Sequence, residues 1–269
     1  MLLTIIIPTY QRPNELVRCL KSIDIYDDIE IIISDNASDV DPSDLVPLEH
    51  QSHTSVHRHG ENIGPRLNIY KAGMLARGEY VLYITDDDYF CPGQLKVFTS
   101  EIKSKRPQYG YAACYVCLEK TGVTKYYGLM PSFLGKAGQI YRSHILSGFF
   151  SRSIELKQCL QDRKTDLSET WYISKGLIGY SKGLVFMRET PLLLHTWENQ
   201  TFWGISPDNS EVLNADKLAL YKTLFQTNSI SFRSYLMLLI FEINIFSFVL
   251  NVYFYAKRIV FNRKTLMEI

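Results

Sequence analysis

The sequence predicts an α/β fold with a mostly parallel sheet, helices on both faces and an apolar helical segment at the C-terminal end. Short apolar runs rich in β-branched residues alternate with segments of helical periodicity through the first half of the chain. The apolar runs are nearly continuous, which is typical of strands that are buried on both faces. The chain has 269 residues and is 46% hydrophobic, which suits one large α/β domain with an appendage.

The first hundred residues contain four predicted strands, which are Leu2–Ile7, Ile29–Ser34, Ser55–His59 and Tyr80–Thr85. Helices between them are indicated by apolar spacing and by a proline in the first turn. They are the segment NELVRCLKSI after Pro13, the segment Pro65–Arg77 and a segment that begins at Pro92.

The second half is less regular. We predict a strand at Tyr109–Glu119 that leads into a hairpin near Gly122, and a loop at Ser132–Gly148. The later predicted elements are a helix at Glu169–Gly179, a strand at Leu184–Arg188 and a helix at Val212–Phe225.

Charge and cysteine content exclude some classes of protein. The net charge is +1, from 29 basic and 28 acidic residues, so we expect no nucleic-acid partner. The five cysteines are odd in number and scattered, and the CxxC of Cys114 and Cys117 lacks the second pair of a zinc site. We therefore expect a reducing, cytosolic compartment.

A polar loop follows each of the first four predicted strands. The loops read PTYQR, SDNASD, GENIGPR and TDDD in chain order. In open parallel sheets, ligands bind beyond the carboxyl ends of the strands, so four such loops predict a pocket there. The three adjacent aspartates, Asp86 to Asp88, repel one another, and a hard divalent cation would explain them. The alternative is a solvated turn.

Several segments carry a family resemblance. They are TIIIPTYQRP, IEIIISDNASD, NIGPRLNIYKAGMLARGEYVLYITDDDYFCP and, more loosely, PLLLH. In this order they resemble a family-2 glycosyltransferase of the GT-A fold, over roughly residues 1–120 and more weakly 165–200. The resemblance implies an inverting enzyme that transfers a sugar from a nucleoside-diphosphate donor with Mn²⁺ or Mg²⁺. It also implies a catalytic domain over 1–205, with a nucleotide-sugar half (1–120) and an acceptor half (121–205), before a helical region at 206–269.

The resemblance gives the three aspartates the role of the family's DxD motif. It implies that Asp88 holds the metal most directly and that Asp86 is a second metal ligand or, with Asp87, reaches the donor ribose or a metal-bound water. His195, at the end of PLLLH, would ligate the metal or contact phosphate, and a structural histidine is the alternative.

Further positions match the family's donor-binding segments. Asp35 matches the residue that hydrogen-bonds the nucleotide base, for which uracil is a suitable partner, although an N-cap or an Asx turn is the alternative. The segment that lines the base matches Pro8, Thr9 and Tyr10. Arg12 lies beside them, where it could reach a phosphate. The loop that faces the donor matches Asn62, Gly64 and Arg66.

The catalytic base is less well defined by the sequence. An inverting transferase needs a base to accept the proton of the acceptor hydroxyl. Many relatives place it in a Glu-Asp pair, and the corresponding stretch here, KTDLSETWYISKG, has none. Glu169 is the first candidate by its distance from the following strand, and Asp166 is the second. Either carboxylate could instead cap a helix.

The tail from Tyr235 to Tyr255 is apolar and about long enough to span a bilayer, which needs ~20 residues. Glu242 interrupts it, and four basic residues follow. We therefore expect the tail to lie in the membrane interface at the cytoplasmic face, which would make a lipid-linked glycan a suitable acceptor. The alternatives are packing on the catalytic domain and an oligomer interface.

Two other functions stay open at this point. A nucleotidyltransferase would share the sheet and the metal, but no Gly-rich phosphate loop follows the segment IIIP. A non-catalytic, membrane-bound binding module derived from the same fold is the second. A DxD on the first strand, followed by Gly-Thr, marks a class of phosphatases, but the aspartates here follow the fourth strand.

Overall fold

The computed structural model describes residues 1–118, 123–127, 135–142, 146–161, 185–196 and 210–242. Within these ranges the chain forms a sheet with helices on both faces. The strands are β1 (Leu3–Thr9), β2 (Ile29–Asp35), β3 (Thr54–Arg58), β4 (Tyr80–Tyr83), β5 (Tyr89–Phe90), β6 (Tyr109–Leu118), β7 (Val123–Tyr127), β8 (Phe149–Arg152) and β9 (Val185–Thr196). The helices are α1 (Pro13–Lys21), α2 (Pro65–Leu75), α3 (Gln94–Lys105), α4 (Gly135–Arg142), α5 (Ser153–Gln161), α6 (Ser210–Gln226) and α7 (Phe232–Phe241).

The strand order in the sheet is β3-β2-β1-β4-β8-β6-β9-β5, and β7 pairs with β6. Strands β1 to β4 are mutually parallel where they pair, so their carboxyl ends meet at one edge. The β6–β9 pair is also parallel, whereas β8 runs antiparallel to both β4 and β6. The predicted α/β fold with a mostly parallel sheet is therefore confirmed.

The core is divided between the two faces of the sheet. Along β1, Leu3, Ile5 and Ile7 belong to one buried cluster and Ile6 to the other, as the two-residue period of a strand requires. Helices α1 and α3 cover the first cluster, whereas α2, α4, α5, α6 and α7 cover the second. Burial on both faces explains why these strands are continuously apolar.

Most predicted elements of the first half lie within a few residues of their observed bounds. The hairpin near Gly122 is confirmed by the antiparallel pairing of β6 with β7. The loop predicted at Ser132–Gly148 is wrong in part, because residues 135–142 form α4, whose Ala137 and Ile140 are buried in the core. The helix predicted at Glu169–Gly179 lies outside the described residues.

The described part of the apolar tail packs against the domain. Leu238 and Phe241 of α7 are buried, and the rings of Tyr141 and Phe241 lie 5.1 Å apart. Glu242 accepts a hydrogen bond from Tyr221 at 2.9 Å and pairs with Lys217 at 2.5 Å. The one acidic residue of the tail is therefore bound to α6. In the ranges that the structure describes, no helix has both the length and the apolar character to cross a membrane.

Candidate active site

The three aspartates form a tight turn just beyond the carboxyl end of β4. The amide of Asp88 donates to the carbonyl of Thr85 at 3.1 Å, and the Thr85 hydroxyl donates to Oδ2 of Asp88 at 2.9 Å. All three carboxylates are buried, with exposures of 5%, 6% and 0% for Asp86, Asp87 and Asp88. A solvated turn would leave such side chains in water, so burial argues against that alternative.

Arg12 supplies positive charge to this turn from the loop between β1 and α1. Its Nη1 lies 3.3 Å from Oδ1 of Asp86 and 2.7 Å from Oδ2 of Asp87. The Arg12 side chain is itself only 7% exposed, so one arginine and two carboxyl groups form a buried cluster. The Thr9 hydroxyl donates to the other oxygen of Asp86 at 2.7 Å.

The environment shifts the pKa values of this cluster. Burial raises the pKa of Asp86 to about 7, and the charge of Asp87 adds to the rise, whereas Arg12 and the Thr9 hydroxyl lower it. For Arg12, burial lowers the pKa, but the charges of Asp86 and Asp87 outweigh burial and raise it above its ordinary value. Arg12 therefore favours the charged form of Asp86 against the effect of burial.

Arg18 is a residue of this site that the sequence reasoning missed. From α1, its Nη2 donates to the backbone carbonyl of Asp87 at 2.8 Å, and its guanidinium lies 5.0 Å from the centre of the Tyr89 ring. The contact depends on β1 and β4 being neighbours, which brings α1 over the turn. No local sequence pattern indicates that neighbourhood.

The loop after β2 borders a cleft next to the acidic turn. The cleft is small and partly open to solvent. Its walls are formed by Thr9, Gln11, Arg12, Pro13, Leu16, Ser38, Val40, Pro42 and Leu45. Two of the predicted donor residues, Thr9 and Arg12, therefore line it, and Pro8 and Tyr10 are their half-buried neighbours in the chain.

Asp35 lies behind this wall, not in it. The carboxylate is 0% exposed. It accepts hydrogen bonds from the amide and hydroxyl of Ser38, at 3.1 and 2.5 Å, and from Nε of Arg58 at 2.9 Å. The bonded amide is three residues beyond Asp35, as in a helix N-cap, whereas an Asx turn bonds the amide two residues on.

The loop after β3 joins the same edge. Asn36 donates to Oδ1 of Asn62 at 2.7 Å, and the same oxygen accepts the amide of Gly64 at 2.9 Å. Gly64 precedes α2 with a φ of +80°, a conformation that favours glycine. Asn62 is exposed and Arg66 is half-buried on the first turn of α2. The polar loop after β3 is thus hydrogen-bonded to the polar loop after β2.

The donor chemistry of the acidic turn suits a hard cation. Among the residues that the structure describes, no three His, Cys, Asp or Glu side chains are grouped so as to hold a metal by themselves. Mg²⁺ is commonly bound through one or two carboxylates and the phosphates of a substrate. The residues present therefore fit a metal that binds together with a diphosphate.

The remaining predicted residues are in the second half of the chain. His195 is the penultimate residue of β9, and its neighbour Leu194 pairs with Tyr89, which directly follows Asp88. The backbone at His195 is therefore close to the acidic turn. Both candidate bases, Asp166 and Glu169, lie outside the described residues.

Comparison with known proteins identifies the family. The profile of the family described as Glycosyl transferase family 2 matches residues 4–156, which is more than half of the chain. The chain belongs to this family. It is also similar to the abequosyltransferase RfbV of Salmonella typhimurium strain LT2, with 29% identity over 170 residues, 60% of this chain and 48% of that protein. The chain thus spans about half the length of this curated relative.

Solved structures with a similar fold include S. aureus TarS. TarS 1–349 in complex with UDP-GlcNAc aligns with a TM-score of 0.63 and 17% identity, over 83% of this chain and 66% of that one. TarS 1–349 in complex with UDP aligns with a TM-score of 0.60 and 18% identity, over 83% and 64%. At this identity the likeness concerns the fold, which is that of the GT-A glycosyltransferases.

Proposed function

We propose that this chain is a metal-dependent, inverting glycosyltransferase that transfers a sugar from a nucleoside-diphosphate donor, UDP-sugar by preference, to an acceptor hydroxyl. One observation carries the proposal. Thr9 and Arg12 lie in the cleft and also contact the acidic turn, at distances of 2.7 to 3.3 Å. The cleft and the turn are therefore contiguous, and the arginine and carboxylate groups at their junction suit a diphosphate and a cation.

The donor would bind across these two parts. The base would enter the cleft beside Pro8, Thr9 and Tyr10, with Asp35 on its far side. Arg12, together with Arg66 near Asn62 and Gly64, would pair with phosphate oxygens. The presence of UDP-GlcNAc or UDP in the similar TarS structures supports a uridine nucleotide, through likeness of fold alone.

The metal would be held by Asp88 and Asp86, with His195 as a further candidate ligand and Asp87 toward the donor. A bound Mn²⁺ or Mg²⁺ would neutralise charge on the leaving diphosphate as the glycosidic bond breaks. The protein's own contribution is to keep the carboxylates buried and fixed in position, through Thr9, Thr85, Arg12 and Arg18. Such fixed positions are what electrostatic stabilisation of a transition state requires.

Removal of the acceptor proton is assigned to Glu169, with Asp166 as the second candidate. The carboxylate would accept the proton as the acceptor oxygen attacks the anomeric carbon. This assignment rests on position in the sequence.

The acceptor is proposed to be a lipid-linked glycan, with the enzyme bound peripherally at the cytoplasmic face of a membrane. One face of α7 supports this, because Phe232, Leu236 and Ile240 are 64%, 47% and 39% exposed and follow one another at four-residue spacing. The basic residues that follow in the sequence, Lys257, Arg258, Arg263 and Lys264, would lie near anionic headgroups. The name of the RfbV relative, an abequosyltransferase, is consistent with a glycan acceptor.

The test is a screen of sugar nucleotides for metal-dependent transfer or hydrolysis. We expect release of UDP from at least one UDP-sugar in the presence of Mn²⁺, and none with EDTA. Formation of pyrophosphate from a nucleoside triphosphate and a sugar phosphate would instead identify a nucleotidyltransferase. Nucleotide binding with no turnover on any donor and acceptor would favour a binding module.

A further inference from the structure

Arg58, the last residue of β3, binds three separate acceptors in the segment that follows β2. Nε pairs with Oδ2 of Asp35 at 2.9 Å, Nη1 pairs with Oδ2 of Asp41 at 2.9 Å, and Nη2 donates to the carbonyl of Ser38 at 2.5 Å. These acceptors stand at the start, middle and end of the segment from Asp35 to Asp41. One planar guanidinium therefore holds both ends of the loop together, which a lysine could not do.

The loop that Arg58 holds has an unfavourable backbone. Ala37 adopts a φ of +67°, which costs an alanine about 1 kcal/mol or more relative to its ordinary conformations. Such a conformation persists only where surrounding contacts fix it. These contacts are the hydrogen bonds that Arg58 donates and those that Asp35 accepts from the amide and hydroxyl of Ser38.

The same loop is joined to the segment that follows β1. The Gln11 amide donates to the Ser38 hydroxyl at 2.8 Å, and the Asp39 amide donates to the Gln11 side chain at 3.3 Å. Gln11 and Ser38 both line the cleft. Arg58 and Asp35 set the position of Ser38, and the bond from Gln11 to Ser38 carries that position to the segment after β1.

From these contacts we propose that Arg58 is a positioning residue for the nucleotide base, and that Asp35 acts mainly as the buried anchor of the same loop. The inference rests on the proposed function, because it assigns the cleft to a nucleotide. It differs from the direct base contact that the family resemblance implies for Asp35. Direct contact would require the base to reach a fully buried carboxylate that already accepts bonds from Ser38 and Arg58.

The chain offers a matched control on the same strand. Glu30 of β2 is 2% exposed and is bound by Arg77, through Nε at 2.6 Å and Nη2 at 2.5 Å. This is also a buried carboxylate paired with an exposed arginine, but it lies at the end of β2 remote from the cleft. Arg77→Gln should therefore destabilise the protein to a similar extent as Arg58→Gln but leave the cleft unchanged.

The first experiment compares both variants by calorimetry with UDP and Mn²⁺ and by hydrogen exchange of the nucleotide-free protein. We expect Arg58→Gln to weaken UDP binding by about tenfold or more and to accelerate exchange of the amides in residues 36–41. Arg58→Lys should not restore binding, and Arg77→Gln should leave UDP affinity within about twofold of the parent. Equal loss of affinity in the Arg58→Gln and Arg77→Gln variants, or unchanged exchange in the loop of Arg58→Gln, would overturn the proposal.

The second experiment separates an anchor from a base contact. If Asp35 acts through the loop, Asp35→Asn should weaken UDP, CDP and GDP by similar factors, and the double variant with Arg58→Gln should lose no more than the larger single effect. A changed order of preference among the three nucleotides would show that Asp35 contacts the base. If the parent protein binds no nucleotide, the proposed function itself is contradicted. If the parent binds UDP and Arg58→Gln binds it equally tightly, only the role of Arg58 is contradicted.

Discussion

Arg12 and Asp87 are 75 positions apart in the chain, yet Nη1 of the arginine lies 2.7 Å from Oδ2 of the aspartate. The contact joins the loop after β1 to the turn after β4, two strands that are neighbours in the sheet. It also makes Arg12 the counter-ion of an acidic turn that is proposed to bind a metal. Arg12 and the cation would therefore act on the same carboxylates.

Replacing Arg12 by glutamine should destabilise the protein. Loss of one partner from a buried ion pair costs about 3–5 kcal/mol, and 1 kcal/mol corresponds to about 2–4 °C in a domain of 150–250 residues. We expect the melting temperature to fall by about 10 °C, and Mn²⁺ to raise it more in Arg12→Gln than in the parent. Lys103→Gln, which removes an exposed pair with Asp28 at 3.8 Å, is the control and should melt like the parent. If both variants melt alike, the buried pair does not have the role given to it.

Replacing Asp88 by asparagine should remove metal-dependent activity and leave the fold intact. The amide keeps an oxygen for the Thr85 hydroxyl, which donates to Asp88 at 2.9 Å, but it is a weak ligand for a hard cation. We expect transfer to fall about 10²–10³-fold. UDP should raise the melting temperature of the variant no more with Mn²⁺ than without it. The exposed Asp24→Asn is the control. Undiminished transfer by Asp88→Asn in EDTA would refute the metal role.

Replacing Glu169 by glutamine should separate binding from turnover. Because a general base contributes about 10²–10⁴-fold, turnover should fall by a factor in that range while calorimetry finds UDP affinity unchanged. Asp166→Asn is the paired variant. If Asp166→Asn, and not Glu169→Gln, loses turnover with unchanged UDP affinity, the base is Asp166. Full turnover in both variants would mean that another residue is the base.

The tail should be separable from the domain at Glu242 and not earlier. A chain truncated after Phe232 loses Leu238 and Phe241, which are 0% and 2% exposed, and each such loss costs about 2–5 kcal/mol. We expect the protein 1–242 to keep its fold and UDP affinity but to stop floating with anionic liposomes, and the protein 1–232 to unfold. A full-length protein that ignores liposomes would contradict the membrane proposal.

The parts of this account that follow from sequence are those fixed by local patterns. Continuous apolar runs predict β1, β2 and β4, and a proline followed by helical spacing predicts α1 and α2. The acidic turn and the loop after β1 could be recognised from the sequence as parts of the candidate site, because the carboxyl ends of parallel strands share one edge.

Other features depend on contacts between distant residues, and no local pattern indicates them. The contact of Arg18 with the carbonyl of Asp87 and the three bonds of Arg58 require the strand order β3-β2-β1-β4. Short α4 was missed because Gly135 and Gly138 argue against a helix, whereas the burial of Ala137 and Ile140 in the core stabilises it. Glu242 suggested a charge at bilayer depth, but Lys217 and Tyr221 bind it to α6.

Calorimetric titration of the full chain with UDP, with Mn²⁺ and again with EDTA, is the decisive test of the proposed function. We expect binding of UDP that depends on the metal, with GDP and dTDP weaker under the same conditions. Absence of nucleotide binding with Mn²⁺, a clear preference for GDP, or UDP binding unaffected by EDTA would contradict it.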